Sequence, residues 1–479
     1  MTQSYFPTIG LEVHVQLASK TKIFCPCAVQ FGSAPNQNVC PVCLGLPGSL
    51  PVLNREVFLL GLRAVLALGG SPSPIVKFDR KNYFYPDLPK GYQISQYDHP
   101  LGKGGLIEIE TNGVTKKIRL NRLHLEEDAG KLLHDQVPDS SVVDLNRAGT
   151  PLAEIVSEAD LGSPEEAYEY LSNLKAILKC VGVSECDMEK GQLRCDANVS
   201  VRKNVSDPWG KRVEIKNLNS FKAVKAAIQH EIERQSKALE AGEKISQETR
   251  LWDDGRQKTF PMRSKEEAHD YRYFPEPDLV PFFVSAVEVE EARKAIPELP
   301  KEKEKRFVEE YNLSVYDSVQ VAADPQIALL FQETAKEISP KTAANWITGA
   351  VFAYLRSKNI SLNETKLTPA LLVKLASMAD QGKISLQVAK EKIFPEVIES
   401  GLDPEEVLQK KGLLQVSDDV SLTEWISVVI IDNPKVVQDF KSGKESAAMF
   451  LVGQVMKKSQ GKANPVKVKE LTILKLQSI

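Results

Sequence analysis

Apolar residues are spaced in two different ways along this chain, and the spacing changes near Glu298. Before that residue, apolar and polar residues alternate in short segments separated by turn residues. After it, apolar residues recur at three- and four-residue steps. Alternation is typical of a strand with one buried face, and three- and four-residue steps are typical of an amphipathic helix. The chain is therefore predicted to be α+β, with a largely antiparallel sheet first and all-α regions afterwards.

Four predicted strands carry an acidic residue on the face opposite their apolar residues. Residues 9–17 place Glu12 and His14 on one side, because side chains two positions apart share a face. By the same alternation, residues 123–126 present Glu126, residues 193–202 present Asp196, and residues 213–216 present Glu214. In addition, Asn-Gly at 112–113 separates two alternating runs, which predicts a hairpin. The first region is therefore expected to be a sheet with one apolar and one acidic face.

Two helices are predicted to interrupt this sheet. The first begins at Ser163, where Ser-Pro-Glu-Glu is typical of a capped helix start. The second begins after Asn219 or Ser220 and ends near Gly242. A chain of 479 residues suits about three domains. We predict an α+β domain over 1–296, a helical domain over 297–400 and a small helical tail domain over 401–479.

Four of the seven cysteines form two close pairs within residues 25–43. Twelve residues separate the pair Cys25 and Cys27 from the pair Cys40 and Cys43. Such spacing predicts a structural Zn²⁺ site, in which four protein ligands leave no open position for chemistry. The alternative is a set of unmetallated or oxidised thiols. So few cysteines in a chain of this length favour a reducing, cytoplasmic setting, and neither a leader peptide nor a membrane span is expected.

The acidic face offers a second candidate metal site. Glu12, His14, Glu126, Asp196 and Glu214 combine hard oxygen ligands with one imidazole, a set that suits Mg²⁺ held together with nucleotide phosphates. The alternative is a sheet face that meets only water.

Cations and amides close to these acids in sequence are candidates for binding ATP or other phosphates. Arg194, Lys216, Asn217 and Ser220 lie near Asp196 and Glu214, and Ser220 also opens a helix, where free N–H groups bind anions. Residues 77–87, which include Arg80 and Lys81, mix cations with aromatics in a way that suits phosphate or base contacts. A surface loop held by its aromatics is the alternative for that segment.

The C-terminal lysines are candidates for contacting nucleic acid. The net charge of the chain is −3, so any such contact needs a local positive patch. Lys457, Lys458 and Lys462 begin a lysine-rich stretch with one acid, which predicts a tail that binds nucleic-acid phosphates. A solvated helix face is the alternative.

Several catalytic motifs are missing from the sequence. It has no P-loop, no strand-linked G-x-G-x-x-G and no G-x-S-x-G. Its one double serine before the helical region lacks the Gly/Ser-rich surroundings of an amidase nucleophile. We therefore expect no release of ammonia from amides by this chain itself.

The whole chain resembles the B-subunit family of the tRNA-dependent amidotransferases. The blocks that carry the resemblance are residues 10–14 (GLEVH), 77–87 (KFDRKNYFYPD), 92–96 (YQISQ), 123–131 (LHLEEDAGK), 144–147 (DLNR), 194–198 (RCDAN), 214–219 (EIKNLN), 270–278 (DYRYFPEPD), 451–454 (LVGQ) and 461–465 (GKANP). The resemblance implies a glutamine-synthetase-like antiparallel-sheet catalytic cradle, followed by an all-α helical domain and a small all-α tail that grips tRNA.

The resemblance also implies an activity. A chain of this family uses ATP to phosphorylate the side-chain carboxylate of mischarged Glu-tRNA(Gln) or Asp-tRNA(Asn). A partner amidase, the A-subunit, supplies ammonia from glutamine, and a small C-subunit joins the two in a heterotrimer. The matching non-discriminating synthetase is a further possible partner. The enzyme is a carbon–nitrogen ligase with glutamine as amide donor.

Residue by residue, the resemblance assigns Mg²⁺ to Glu12, His14, Glu126, Asp196 and Glu214. Lys81 and Glu126 are implied as catalytic residues at the opening of the ammonia passage. A non-catalytic, zinc-containing tRNA-binding protein is the alternative function.

Overall fold

The structure is a computed structural model. It describes residues 5–137, 139–262, 271–411, 419–442, 444, 446–459, 463 and 465–478. The chain divides into two compact units, Met1–Leu299 and Pro300–Ile479. The boundary between the units lies three residues beyond the predicted end of the α+β domain at residue 296.

Within the described residues, all the strands and four α-helices lie in the first unit, and the second unit is helical. The strands are β1 (Phe6–Gln16), β2 (Ser71–Pro72), β3 (Ile75–Val76), β4 (Asp79–Asn82), β5 (Tyr92–Ser95), β6 (Gly102–Lys103), β7 (Leu106–Thr111), β8 (Val114–Glu127), β9 (Lys131–Val137), β10 (Ser140–Asp144), β11 (Pro151–Ser157), β12 (Leu193–Arg202), β13 (Val213–Leu218), β14 (Glu248–Asp253), β15 (Lys258–Pro261), β16 (Phe274–Pro275) and β17 (Phe282–Phe283). The α-helices are α1 (Arg55–Ala67), α2 (Pro164–Cys180), α3 (Phe221–Glu240), α4 (Ala286–Lys294), α5 (Pro300–Tyr311), α6 (Val315–Ala322), α7 (Pro325–Thr334), α8 (Pro340–Trp346), α9 (Phe352–Lys358), α10 (Pro369–Asp380), α11 (Leu386–Val388), α12 (Phe394–Ser400), α13 (Pro404–Lys410), α14 (Asp419–Asp432), α15 (Pro434–Lys441), α16 (Ser446–Lys458) and α17 (Pro465–Gln477). Two π-helical segments, Ile347–Val351 and Ala389–Ile393, and a 3₁₀ turn, Leu362–Glu364, complete the helical content.

A ten-stranded sheet forms the centre of the first unit. Its order is β15-β14-β13-β12-β1-β11-β8-β6-β2, with β7 paired to β8. Neighbouring strands are antiparallel except β13 and β14, which are parallel. A smaller three-stranded sheet has the order β16-β4-β5. The predicted α+β class and the largely antiparallel sheet are therefore confirmed.

The hairpin between β7 and β8 has the geometry that Asn-Gly favours. Asn112 and Gly113 have φ values of 53° and 76°, and two consecutive positive φ values are what a type I′ turn requires. Ile107 and Ile109 of β7 are buried, as is Ile118 of β8. The turn thereby sets the register in which these apolar side chains share one face.

The two helices predicted within the sheet region begin at their serine caps. The Ser163 hydroxyl accepts a hydrogen bond from the backbone N–H of Glu166 at 3.1 Å. Ser220, rather than Asn219, caps α3 by accepting from the N–H of Ala223 at 3.0 Å. Both caps satisfy N–H groups that the first turn of a helix leaves free. Gly242 follows α3 with a φ of 76°, as expected for a helix end.

The side chains of strand β1 alternate between an apolar face of the sheet and a polar one. Its residues Ile9, Leu11, Val13 and Val15 are buried in one core with apolar residues of α2 and α3. The alternate residues face away from that core and include Glu12 and His14. Strand pairing places Asp196 of β12 opposite Glu12, and Glu154 of β11 opposite His14. The helices thus occupy one face and leave ionisable groups together on the other.

The second unit contains two separate apolar cores. The first includes Phe307, Trp346 and Phe394, and it extends to Val407 and Leu408, beyond the predicted boundary at residue 400. The second core is formed by α14, α16 and α17 with Ala463. Division of this unit into two domains stays a prediction. None of the helices within the described residues combines the length and the apolar character needed to cross a membrane.

Candidate functional site

A cavity of about 190 Å³ opens on the polar face of the sheet. Its lining is charged and aromatic and comes from β1, β4, β8 and β11, from residues 95–97 at the end of β5, and from the segment before β16. The lining residues are Glu12, Lys81, Ser95, Gln96, Tyr97, Arg122, His124, Glu126, Glu154 and Tyr273. Three carboxylates, one imidazole and two cations therefore share one small space.

Two histidines and two glutamates form a buried cluster at this cavity, and His124, Glu126 and Glu154 of that cluster line it. Nε2 of His14 lies 3.5 Å from a carboxylate oxygen of Glu126 and 3.4 Å from one of Glu154. Nε2 of His124 lies 3.6 Å and 3.3 Å from oxygens of the same two carboxylates. Nδ1 of His124 is buried and has no hydrogen-bond partner among the described residues. Each imidazole lies beside both carboxylates, so opposite charges are neighbours and the four groups can stay close together although they are buried.

Burial and mutual attraction act on the protonation of this cluster in opposite directions. Burial disfavours the charged form of His124, yet the carboxylates of Glu154 and Glu126 raise its pKa to about 9. Burial also opposes the charged form of His14, and Glu154 and Glu126 still raise its pKa. Burial acts to raise the pKa of Glu126 and of Glu154, but the two imidazoles outweigh it and lower both. The two carboxylates are therefore ionised at neutral pH.

Glu12 extends the cluster toward the neighbouring strand. Its carboxylate lies 3.8 Å from Nε2 of His14. Burial and then the charge of Glu154 raise its pKa. Ligand atoms of Glu12, His14 and Glu154 lie within 4.8 Å of one another, as do those of His124, Glu126 and Glu154. Either group could hold a metal ion, and the shared Glu154 could bridge the two positions.

The predicted magnesium ligands are brought together only in part. Glu12, His14 and Glu126 meet around the cavity, whereas Asp196 and Glu214 do not line it. Lys216 links these two acids, with Nζ at 2.7 Å from Asp196 and 3.1 Å from Glu214. Asp196 and Glu214 thus form a second polar group on the adjoining strands, next to Glu12 through the pairing of β1 with β12.

Among the predicted cations, Lys81 is the one that reaches the cavity. Its Nζ lies 4.9 Å from the ring centroid of Tyr271 and 5.8 Å from that of Tyr83. Tyr97 and Tyr273 stack beside it with their centroids 4.2 Å apart. Within the described residues the Lys81 ammonium lies against aromatic faces and forms no salt bridge, so it can serve an anionic ligand.

Arg80 faces the opposite side of the same strand. Its guanidinium donates two hydrogen bonds to Glu276, at 2.7 and 2.8 Å, and stacks over Tyr92 at 4.2 Å. It does not line the cavity. Side chains alternate along a strand, so Arg80 and Lys81 cannot both point into one pocket. The phosphate-binding role of Arg80 stays a prediction, and the observed contacts give it a structural partner.

Three further predicted phosphate contacts are already engaged by the protein. Arg194 donates to Asp128 at 2.9 Å, and the same carboxylate lies 3.4 Å from Nε of Arg147. The amide of Asn217, at a φ of 68°, donates to the backbone oxygen of Trp252 at 3.0 Å. Ser220 caps α3. Each therefore has a structural task, and its binding role stays a prediction.

The four predicted zinc ligands converge. The Sγ atoms of Cys25, Cys27, Cys40 and Cys43 lie within 4.8 Å of one another, and those of Cys40 and Cys43 are 3.9 Å apart. Tetrahedral zinc with Zn–S bonds of about 2.3 Å needs sulfurs about 3.8 Å apart. A hydrogen bond from the Cys25 thiol lowers the pKa of Cys43 to about 4, assisted by the Cys40 N–H and the charge of Lys22 and opposed by burial. The residues fit a four-coordinate metal.

The predicted tRNA-contacting lysines lie at the end of α16. Lys457 and Lys458 are exposed there, and Nζ of Lys458 lies 3.3 Å from a carboxylate oxygen of Asp432. Lys462 lies outside the described residues.

Sequence reasoning missed two members of the cluster of histidines and glutamates, and also Arg122 among the cations of the cavity. Glu154 lies in β11, whose residues are almost all buried, so the strand shows no alternation from which a polar face could be predicted. A single acid within that apolar run was the available signal. His124 lies two residues before Glu126, so the alternation that predicts the polar face for Glu126 places His124 there too, but it was not included among the predicted ligands.

The unit that carries the cavity matches a family of catalytic domains. Residues 7–290 match the family described as GatB/GatE catalytic domain, and residues 329–476 match the one described as GatB domain. A relative from Thermoanaerobacter pseudethanolicus is 53% identical over 462 residues, covering 96% of this chain and 97% of its own length. A relative from Carboxydothermus hydrogenoformans is 50% identical over 481 residues, covering 100% of both chains. Both are named as the B-subunit of aspartyl/glutamyl-tRNA(Asn/Gln) amidotransferase. The chain therefore belongs to this amidotransferase B-subunit family, and the resemblance stated from its motifs is confirmed.

Proposed function

We propose that this chain uses ATP to activate the side-chain carboxylate of Glu-tRNA(Gln), Asp-tRNA(Asn) or both, so that ammonia can convert it to the amide. The observation that carries this proposal is the cavity in which three carboxylates and the imidazole of His124 lie beside two cations, with His14 in contact with the same carboxylates. Such a site can hold a divalent cation and receive a triphosphate at the same place. The names of the relatives supply the class of substrate.

The residues of the cavity fit Mg²⁺. Glu12, Glu126 and Glu154 provide the hard oxygen ligands that this ion prefers, and His14 and His124 stabilise the ionised state of Glu126 and Glu154. When bound there, Mg²⁺ would neutralise phosphate charge. Lys216 now pairs with Asp196 and Glu214. If a phosphate took their place as the partner of Lys216, these two acids would become available as further oxygen ligands on the adjoining strands.

The proposed reaction has two steps. A carboxylate resists ammonia because its charge repels nucleophiles and oxide is a poor leaving group. One substrate carboxylate oxygen attacks the γ-phosphorus of ATP, forming an acyl phosphate and releasing ADP. Ammonia then attacks the acyl carbon, the C–O bond to phosphate breaks, and one proton from the nitrogen is lost to solvent or base.

The residues of the chain contribute position and charge to these steps. Lys81 and Arg122 approach the cavity from two sides and would orient the substrate carboxylate and the phosphate oxygens. The stacked pair Tyr97 and Tyr273 forms an aromatic wall that limits the access of water to an acyl phosphate. Because the acids stand on paired strands, their spacing is kept through the reaction.

The ammonia would come from another chain. The sequence lacks the nucleophile motifs of an amidase, so we propose a heterotrimer with an amidase A-subunit and a small C-subunit, acting in the cytoplasm. Lys457, Lys458 and Lys462 would contact the tRNA phosphates, and the synthetase that mischarges the tRNA is a further candidate partner.

The four cysteines are proposed to hold structural Zn²⁺. Their sulfurs have the spacing of a tetrahedral site and leave no open position, so the metal would stabilise residues 25–43 without taking part in the reaction.

The test is ATP hydrolysis by the assembled heterotrimer in the presence of mischarged tRNA. Glu126→Gln should lower the rate at least ~100-fold, because it removes a buried negative charge at the cation site, while tRNA binding persists. Glu110→Gln, an exposed acid at the end of β7, is the matched control and should leave the rate unchanged. An undiminished rate in Glu126→Gln would refute the assignment of the site.

Mass spectrometry of the aminoacyl group, after incubation with each mischarged tRNA, identifies the substrate. If the intact complex binds tRNA but shows no tRNA-dependent ATP hydrolysis, the chain is a tRNA-binding protein without this activity.

A further inference from the structure

Lys22 is a lysine whose side chain has no exposure to solvent. Its ammonium donates to the backbone oxygen of Asn38 at 2.7 Å, and it lies 3.4 Å from the backbone oxygen of Leu145 and 3.5 Å from Sγ of Cys43. Lysines are almost never fully buried without a partner, because removing an ammonium from water is costly. The two carbonyl oxygens offset part of that cost, and the Cys43 sulfur offers the ammonium a negative charge.

The four-cysteine site, in contrast, would carry buried negative charge when it holds a metal. Four thiolates around a divalent ion carry two net negative charges, and Cys25 and Cys43 are buried. Buried charge of one sign is unfavourable unless a charge of the other sign is fixed nearby. Groups that contact metal ligands from outside tune the affinity of the site for its metal. The ammonium of Lys22 is placed to do so.

We propose that Lys22 is the counter-cation of the four-cysteine site, and that its fixed charge raises the affinity of these thiolates for a divalent metal. The inference rests on the proposal that the site holds zinc. Lys22 contacts a ligand and not the metal, so it is a positioning residue. Lys22 also contacts residues 145–149, through the backbone oxygen of Leu145 and through Gly149, which lies against its side-chain stem. The cysteine loop contacts the same segment directly, because the N–H of Asn38 donates to the side chain of Asn146 at 2.8 Å.

The experiment compares metal affinity in the full chain loaded with Zn²⁺. Lys22→Met keeps the length of the side chain and removes the charge, Lys22→Gln keeps a hydrogen-bond donor without charge, and Lys22→Arg keeps the charge. Lys20→Met removes an exposed lysine two residues away and is the matched control. Affinity is measured by competition with a chromophoric chelator. Co²⁺ substitution provides a thiolate-to-metal charge-transfer spectrum that reports whether four sulfurs still coordinate.

Lys22→Met and Lys22→Gln are expected to bind Zn²⁺ about 10- to 100-fold more weakly, the range for contacts outside the first ligand shell. Lys22→Arg and Lys20→Met should stay within about 3-fold of the wild type, and the Co²⁺ spectra should retain four-sulfur coordination. If one uncharged variant does not fold, the other gives the same comparison. Unchanged affinity in an uncharged variant overturns the role of the charge. So does an equal loss in Lys22→Arg and Lys22→Gln, which would make Lys22 a packing residue only. A wild-type chain that binds no metal would refute the zinc proposal itself, and this inference with it.

Discussion

The pair formed by Arg80 and Glu276 provides a direct test of whether Arg80 is structural. Glu276 has no side-chain exposure, and it accepts two hydrogen bonds from the Arg80 guanidinium. The pair joins β4 to Glu276, which directly follows β16, and Tyr273 of the cavity wall directly precedes β16. The substitution Glu276→Gln would leave the largely buried Arg80 with the one-third exposed carboxylate of Asp278 as its remaining partner.

The magnitude follows from the burial of the two partners. Removing one partner of a fully buried ion pair costs roughly 3–5 kcal/mol. The Arg80 side chain keeps 19% exposure, so water can compensate for part of the loss. We expect a local destabilisation of about 2–4 kcal/mol, since the remaining guanidinium is still mostly buried. At 1.4 kcal/mol per factor of ten, this corresponds to an increase of about 30- to 700-fold in local opening.

Hydrogen exchange followed by mass spectrometry measures that opening. Peptides that cover residues 271–283 and 75–82 should exchange faster in Glu276→Gln, because the N–H of Glu276 donates to the backbone oxygen of Phe78 across this pairing. Asp278→Asn is the control: its carboxylate is 3.2 Å from Arg80 but one-third exposed, so it should contribute less than about 1 kcal/mol.

Two results would refute the structural assignment of Arg80. One is unchanged exchange in Glu276→Gln. The other is an Arg80→Lys variant that raises the KM for ATP while exchange in these peptides stays as in the wild type, which would make Arg80 a phosphate contact.

Three further predictions concern the metal centre, the buried histidine and the tail. Cys40→Ser should lose the metal, which we expect at about one equivalent per wild-type chain, and elemental analysis of the folded protein decides the point. In magnesium-free buffer, His124 should contribute stability that is fully present below its ordinary pKa of 6.5 and is lost as pH rises through about 9, because its pKa is raised in the folded state. The difference in urea midpoint between the wild type and His124→Gln should therefore shrink from pH 6.5 to 9.5, and a constant difference would contradict the raised pKa. Replacing Lys457 and Lys458 together by Ala should weaken tRNA binding. Measured tRNA affinity should also depend less on salt concentration, by the amount expected for the loss of about two phosphate contacts, while the affinity for ATP stays unchanged.

The sequence by itself determined those features that depend only on residues close together in the chain. Alternation in residues 9–17 predicted both the burial of the Val13 side and the polar face with Glu12, because adjacent side chains on a strand point to opposite sides. The Asn112-Gly113 turn and the Ser163 cap were predictable for the same reason: their geometry depends on backbone preferences over two to four residues.

Only the tertiary structure decided which polar groups meet. His14, Glu126 and Glu154 are far apart in the chain, and they come together because β11 lies between β1 and β8 in a particular register. A shift of one residue in either pairing would turn Glu154 into the apolar core. Register depends on the packing of whole strands and the helices that cover them, so no local pattern could show that Glu154 belongs to the site or that Asp196 stands beside it.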